Sequence, residues 1–138
     1  MSATYRGTCL CGSVTFELCG EFQSFYLCHC HRCQKDTGSA HAANLFASGQ
    51  LTWLSGERDV KTYQHANSRH VKSFCQHCGS AVPTAAVVND WVMVPAGSLD
   101  SAVDIAPTAK IFMASAADWS RCLADVASYA GFSDTATS

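Results

Sequence analysis

Seven cysteines stand in three short clusters: Cys9-Leu10-Cys11-Gly12, Cys28-His29-Cys30-His31-Arg32-Cys33 and Phe74-Cys75-Gln76-His77-Cys78-Gly79. Thiolates spaced this closely suit a soft divalent cation, and zinc takes them in a tetrahedron with Zn–S bonds of about 2.3 Å. In the first and third clusters a glycine follows the second cysteine, so the backbone can turn tightly with positive φ and aim both sulfurs at one ion. Cys9, Cys11, Cys75 and Cys78 therefore read as one closed four-thiolate zinc site of structural character, pinning the start of the chain to its middle. Cys28, Cys30 and Cys33 can all reach a second zinc, and three ligands leave one position for water or substrate, the mark of a reactive site. His29 and His31 are the alternative fourth ligands, although each neighbours a cysteine ligand and would strain the loop. Three thiolates leave such a site at about −1, a poor generator of hydroxide but able to hold an external thiol as thiolate. The chemistry expected is attack of a small thiol on an electrophile rather than hydrolysis. When this site is empty its thiols are oxidisable, and a Cys28–Cys33 or Cys30–Cys33 disulfide can stand in for the metal.

Composition narrows the setting. The chain has 138 residues, 48% apolar and 14% charged, which suits one core-forming domain over residues 1–132. The small polar residues 133–138 read as a disordered tail. Net charge is −2, and Lys and Arg are scattered singly, which argues against a nucleic-acid partner. No apolar run approaches the roughly 20 residues of a membrane span. The opening Met1-Ser2-Ala3-Thr4-Tyr5-Arg6 lacks the basic and apolar regions of a secretory signal, so a cytoplasmic location is expected. Thiols stay reduced there, and the cysteine count of nine is odd, so metal is favoured over a disulfide framework. The oligomeric state is undecided, and a homo-oligomer stays open.

Elements must position these clusters, and the pattern between Cys11 and Ile111 is mostly of period two. Val14, Phe16 and Leu18 alternate with Ser13, Thr15 and Glu17, which predicts a half-buried strand. Further short strands are predicted at Ser24–Cys28, Ala42–Ala47, Val60–Gln64, Arg69–Phe74, Ala85–Val88, Trp91–Val94 and Ile111–Met113. Turn signals at Cys19-Gly20, Ser55-Gly56, Cys78-Gly79, Asn89-Asp90 and Gly97 separate them. The fold class is thus mainly β and antiparallel. A helical turn is expected after Cys30, ending near Gly38. A short C-terminal helix is expected where Trp119, Cys122, Leu123, Val126 and Ala130 recur at helical spacing, with Asp118 as N-cap and Gly131 as C′ residue.

Four motifs in order resemble those of the glutathione-dependent formaldehyde-activating enzyme family, which includes centromere protein V. They are Gly7-Thr8-Cys9-Leu10-Cys11-Gly12-Ser13-Val14; the central cysteine run followed by Thr37-Gly38-Ser39; Phe74-Cys75-Gln76-His77-Cys78-Gly79-Ser80; and Gly97-Ser98-Leu99-Asp100. The resemblance covers roughly residues 5 to 120. It implies a β-tent, or Mss4-like, fold and the same partition of cysteines between a structural zinc and a second, catalytic one. It also implies a carbon–sulfur lyase that forms S-hydroxymethylglutathione from glutathione and formaldehyde. Family members often carry a histidine where this chain has Lys110-Ile111-Phe112, and a basic residue within the stretch held here by Ser115-Ala116-Ala117-Asp118. A small thiol and an aldehyde are therefore the expected partners. A non-catalytic zinc-binding interaction module is the alternative.

Other conspicuous residues have plainer readings. Cys122 is expected to pack in the core from the C-terminal helix. His41 reads as an ordinary strand histidine, with a hydrogen bond to a metal ligand as the alternative. His65 and His70 flank a turn and are expected to be solvated. Trp53, Trp91 and Trp119 read as core or edge anchors, with a pocket wall as the alternative for one of them. Arg32 and Lys35 read as exposed turn residues beside the open site, with attraction of an anionic substrate as the alternative.

Overall fold

Val14, Phe16 and Leu18 are completely buried, so the period-two alternation does produce a strand with one face in the core. The structure, a computed structural model, describes residues 3–86 and 90–132. Two long strands form its spine, β2 (Thr15–Cys28) and β3 (Ala42–Ser55), paired antiparallel from Thr15↔Ser55 to Cys28↔Ala42. The predicted segments Ser24–Cys28 and Ala42–Ala47 are the ends of these strands. Between them lies a short helix, α1 (His31–Thr37), which starts at Cys30 and ends on Gly38 in the left-handed conformation, as expected.

Around the spine a six-stranded sheet runs in the order β1 (Ala3–Thr8), β2, β3, β8 (Trp91–Pro95), β7 (Thr84–Ala85). Its sixth strand, β9 (Ala109–Ile111), lies parallel to the end of β2, with Cys28 opposite Ile111. All other strand pairings among the described residues are antiparallel. The second sheet is β4 (Val60–Gln64), β5 (Val71–Cys75) and β6 (Ala81–Val82). The chain passes from the second sheet to the first at Pro83, which is fully buried and has no N–H to leave unpaired. Of the predicted strand Ala85–Val88, Val87 and Val88 lie outside the described residues, as do Asn89 of the next turn and the tail 133–138.

The main core gathers Tyr5, Leu18, Leu45, Ala47, Val92 and Val94, with Phe22, Phe25 and Leu99 packed against it. Two smaller cores contain the thiols. Cys9 and Cys75 are buried with Val14 and Val82, and Cys28 and Cys33 with Ala42. No helix among the described residues is long and apolar enough to cross a membrane.

The C-terminal segment differs from expectation. In place of a helix it forms separate 3-10 turns at Asp118–Ser120 and Leu123–Asp125, and Cys122 between them has φ −128° and ψ 52°. Trp119 is 65% exposed and Val126 60%, and Cys122 is exposed rather than in the core. An amphipathic helix of this length is marginal without a surface to cover its apolar face, and no such surface is provided among the described residues. The Arg121 guanidinium instead donates to the carbonyls of Met113 and Ala116, tying the segment to the preceding turn. The predicted strand Ile111–Met113 is also cut short, because Phe112 has φ +57° and turns the chain out of the sheet.

Candidate metal centres

The first centre forms where the start of the chain meets the end of β5. The turn Cys9–Gly12 closes through Gly12 N–H donating to the Cys9 carbonyl, and the turn Cys75–Gly79 through Gly79 N–H donating to that of Cys75. Gly12 and Gly79 have φ of +83° and +75°, a region that L side chains enter only at a cost. The sulfurs of Cys9, Cys11, Cys75 and Cys78 all lie within 4.8 Å of one another. Cys9 Sγ and Cys11 Sγ are 3.7 Å apart, and Cys11 Sγ and Cys75 Sγ 3.8 Å. A tetrahedron with Zn–S bonds of about 2.3 Å has edges of roughly 3.8 Å, so the sulfurs fit a zinc ion without rearrangement.

Hydrogen-bonding groups surround these sulfurs, and two of the thiols, Cys11 and Cys78, are drawn toward thiolate. Val14 N–H donates to Cys9 Sγ at 3.3 Å. Ser13 Oγ lies 3.2 Å from Cys11 Sγ, and its hydroxyl holds that thiol below the ordinary range. Ser80 Oγ, 3.3 Å from Cys78 Sγ, is the main cause of a pKa lowered to about 5. The same hydroxyl oxygen accepts from Leu10 N–H, so Ser80 links the two knuckles. Burial pushes Cys75 the other way, to about 11. Four adjacent thiols cannot all ionise without a cation among them, and two of these are already prepared to.

The second centre occupies the β2–β3 connection. Cys28 ends β2, Cys30 is the N-cap of α1 with its sulfur accepting from Cys33 N–H at 3.3 Å, and Cys33 lies on the buried side of the helix. Their sulfurs also lie within 4.8 Å of one another, and no imidazole or carboxylate among the described residues joins them. His29 is buried, but its Nδ1 is turned back to the Leu27 carbonyl at 3.1 Å. Its ring packs against that of His41, whose Nδ1 faces the Ala42 carbonyl and, among the described residues, meets no cysteine. Gln34 anchors the helix by donating to the carbonyls of His29 and Ser115, and Thr37 Oγ1 donates to that of Cys33. Burial raises the Cys28 and Cys33 thiols, Cys33 very strongly, with its two sulfur neighbours adding to the effect. Cys30 is only half-buried, and the desolvation that raises its thiol is outweighed by the Cys33 N–H and the neighbouring groups, which lower it. The donor set again calls for a cation.

Two clefts flank α1. One, of about 360 Å³, runs between the two sheets, with Phe46, Val82, Trp91 and Met93 in its walls and Cys33 among its lining residues. Cys33 is the one ligand of the second centre that it reaches. The other, of about 350 Å³, is lined by Arg32, Lys35, Tyr63, Lys72 and three histidines, His31, His65 and His70. Arg32 and Lys35 have no ion-pair partner among the described residues, so this cleft is an open cationic surface. Asp36, His70 and Lys72 form the wall common to both. Sequence patterns missed that wall. His70, expected to be solvated, is half-buried, with Nε2 2.7 Å from Asp36 Oδ2.

Residues 4–115 match the glutathione-dependent formaldehyde-activating enzyme family. A solved structure of a Rhodobacter sphaeroides protein resembles this chain with a TM-score of 0.55 and 24% sequence identity, covering 76% of this chain and 98% of that one. No curated protein matches. The family match extends from β1 through both thiol centres to the turn that Gln34 anchors, and the chain belongs to the glutathione-dependent formaldehyde-activating enzyme family.

Proposed function

We propose that this chain is a zinc-dependent carbon–sulfur lyase of the S-(hydroxymethyl)glutathione synthase type, joining a small thiol, glutathione or a similar one, to an aldehyde, or running the reverse. In this reading Cys9, Cys11, Cys75 and Cys78 hold a structural zinc, and Cys28, Cys30 and Cys33 hold the zinc of the catalytic site. The observation that carries it is a three-thiol cluster with no fourth protein ligand among the described residues, reached by a cleft at Cys33. Zinc bound there would lower the pKa of a substrate thiol and keep it nucleophilic at neutral pH.

The chain's own residues do the rest. Gln34 and Thr37 lock α1, so the three sulfurs are held in one place before substrate arrives. The apolar walls of the inter-sheet cleft limit water around the reacting atoms. Arg32 and Lys35 offer unpaired charge to a carboxylate on the thiol substrate.

A second reading, a non-catalytic zinc-binding interaction module, draws support from the exposed Trp119, Leu123, Val126, Tyr129 and Phe132. Zinc stoichiometry under anaerobic conditions, on wild type and on Cys30→Ser, separates the two. Two zincs falling to one, with the fold kept and catalysed thiol–aldehyde exchange lost, is the outcome expected of the lyase. One zinc in wild type, unaffected by Cys30→Ser, would leave the module as the reading to pursue.

A further inference from the structure

Asp36 belongs to α1, whereas His70 and Lys72 come from the β4–β5 hairpin, and folding brings them together across a separation of 34 residues in sequence between Asp36 and His70. Lys72 Nζ lies 3.1 Å from Asp36 Oδ1 and donates to the Asp36 carbonyl at 2.7 Å. His70 Nε2 is 2.7 Å from the other carboxylate oxygen. A carboxylate only accepts, so the proton in that bond belongs to Nε2, and the neutral imidazole carries its lone pair on Nδ1. Nδ1 has no hydrogen-bond partner among the described residues. No fully buried side-chain nitrogen or oxygen among them lacks a partner, so Nδ1 is not sealed off from solvent. The residue lines both clefts, including the one that reaches Cys33. A base whose far nitrogen is held by a carboxylate, itself fixed by a third group, is the arrangement used to move protons in nucleophilic catalysis.

We propose that His70, oriented by Asp36, carries the proton in the thiol–aldehyde reaction of this cleft; the inference rests on the lyase reading. Nδ1 takes the proton of the substrate thiol. The sulfur electron pair forms the C–S bond as the C=O π bond breaks toward oxygen, and the imidazolium returns the same proton to that oxygen. The proton moves from sulfur to oxygen, the imidazole ends neutral, and no oxidant or reductant is needed. In the reverse direction Nδ1 takes the hydroxyl proton and returns it to the departing sulfur. Asp36 is a positioning residue that fixes the tautomer and stabilises the imidazolium, and Lys72 holds Asp36.

The test follows exchange of 13C-formaldehyde between its free form and its glutathione adduct, by exchange NMR, with the full zinc-loaded chain. In His70→Gln the amide can still donate to Asp36 but has no basic nitrogen. Its kcat should fall about 100-fold or more, with KM and zinc content unchanged. His70→Ala should fall as far and recover with added imidazoles in order of their basicity, whereas Asp36→Asn should lose rate without such recovery. Independently of turnover, 15N spectra of the histidines should show His70 as the Nε2–H tautomer, with that preference lost in Asp36→Asn. Wild-type kcat in His70→Gln, or an Nδ1–H tautomer, overturns the inference and leaves the lyase reading standing. So does a loss in His70→Ala that imidazoles do not restore. Wild-type exchange no faster than the uncatalysed rate overturns both.

Discussion

At the scale of single residues, the thiols are distinguished by what lies next to them rather than by their own chemistry. Ser80 is the clearest case, because its hydroxyl meets both Cys78 Sγ and Leu10 N–H. A thiol lowered from 9.0 to about 5 contributes stability above its ordinary value and loses it as pH falls toward about 5. Removing the hydroxyl raises the thiol pKa, so protons compete with the metal at higher pH. Ser80→Ala should therefore move the midpoint of acid-induced metal release upward, read with a zinc-indicator dye. It should also cost about 1 kcal/mol in denaturant unfolding, for the hydrogen bonds lost. The tyrosine at position 5 shows the opposite sense. Burial first, and then the Asp104 carboxylate that accepts from its hydroxyl, raise its pKa. Its contribution is present below the ordinary phenol value and is lost as pH climbs through the raised one.

At the scale of elements, the helix α1 and the C-terminal segment invite opposite conclusions. The helix has only seven residues, yet it is held at both ends, by the Cys30 cap and Gly38, and along its side by Gln34. The C-terminal segment carries helical spacing but lies on the surface, and residues 121–132 are exposed throughout. Spacing describes a face, and a face becomes a helix in water only when something covers it. Truncation after Arg121 keeps the guanidinium bonds to Met113 and Ala116. It should leave the thermal midpoint within a few degrees of wild type, since it removes little buried area. Differential scanning calorimetry of the truncated chain is the check, and a large fall would mean that the segment packs in solution.

At the scale of the whole molecule, the two centres divide the work of the fold. The four-thiol cluster replaces apolar core between the start of the large sheet and the end of β5, with Val14 and Val82 around it. Binding energy at such a site is folding energy, of order 10 kcal/mol for structural zinc. The three-thiol cluster caps the β2–β3 connection, where long strand pairing on both sides already fixes the backbone. A graded chelator under anaerobic conditions should thus remove zinc in two steps. The first should leave the far-UV circular dichroism unchanged, and the second should abolish it. Simultaneous loss of both ions with unfolding would contradict this division.

What is local could be read from the residues alone. Ligands a few residues apart, glycines at positive φ, period-two strands and the turn after Cys30 are all decided within a short window, and four ordered motifs carried the family. Even the pairing of Cys9 and Cys11 with Cys75 and Cys78 was legible, since two half-sites need each other to close a tetrahedron. Tertiary structure alone decided the clefts. Arg32 and Lys35 stand on α1 and Lys72 on β5, singly placed in sequence, and only the docking of the hairpin on the helix gathers them around one opening. The Asp36–His70 pair has the same origin, because a hydrogen bond between distant segments leaves no periodic trace in either. The exposed C-terminal segment is the converse case: its pattern was local, but the surface needed to make it a helix is not supplied by the other described residues.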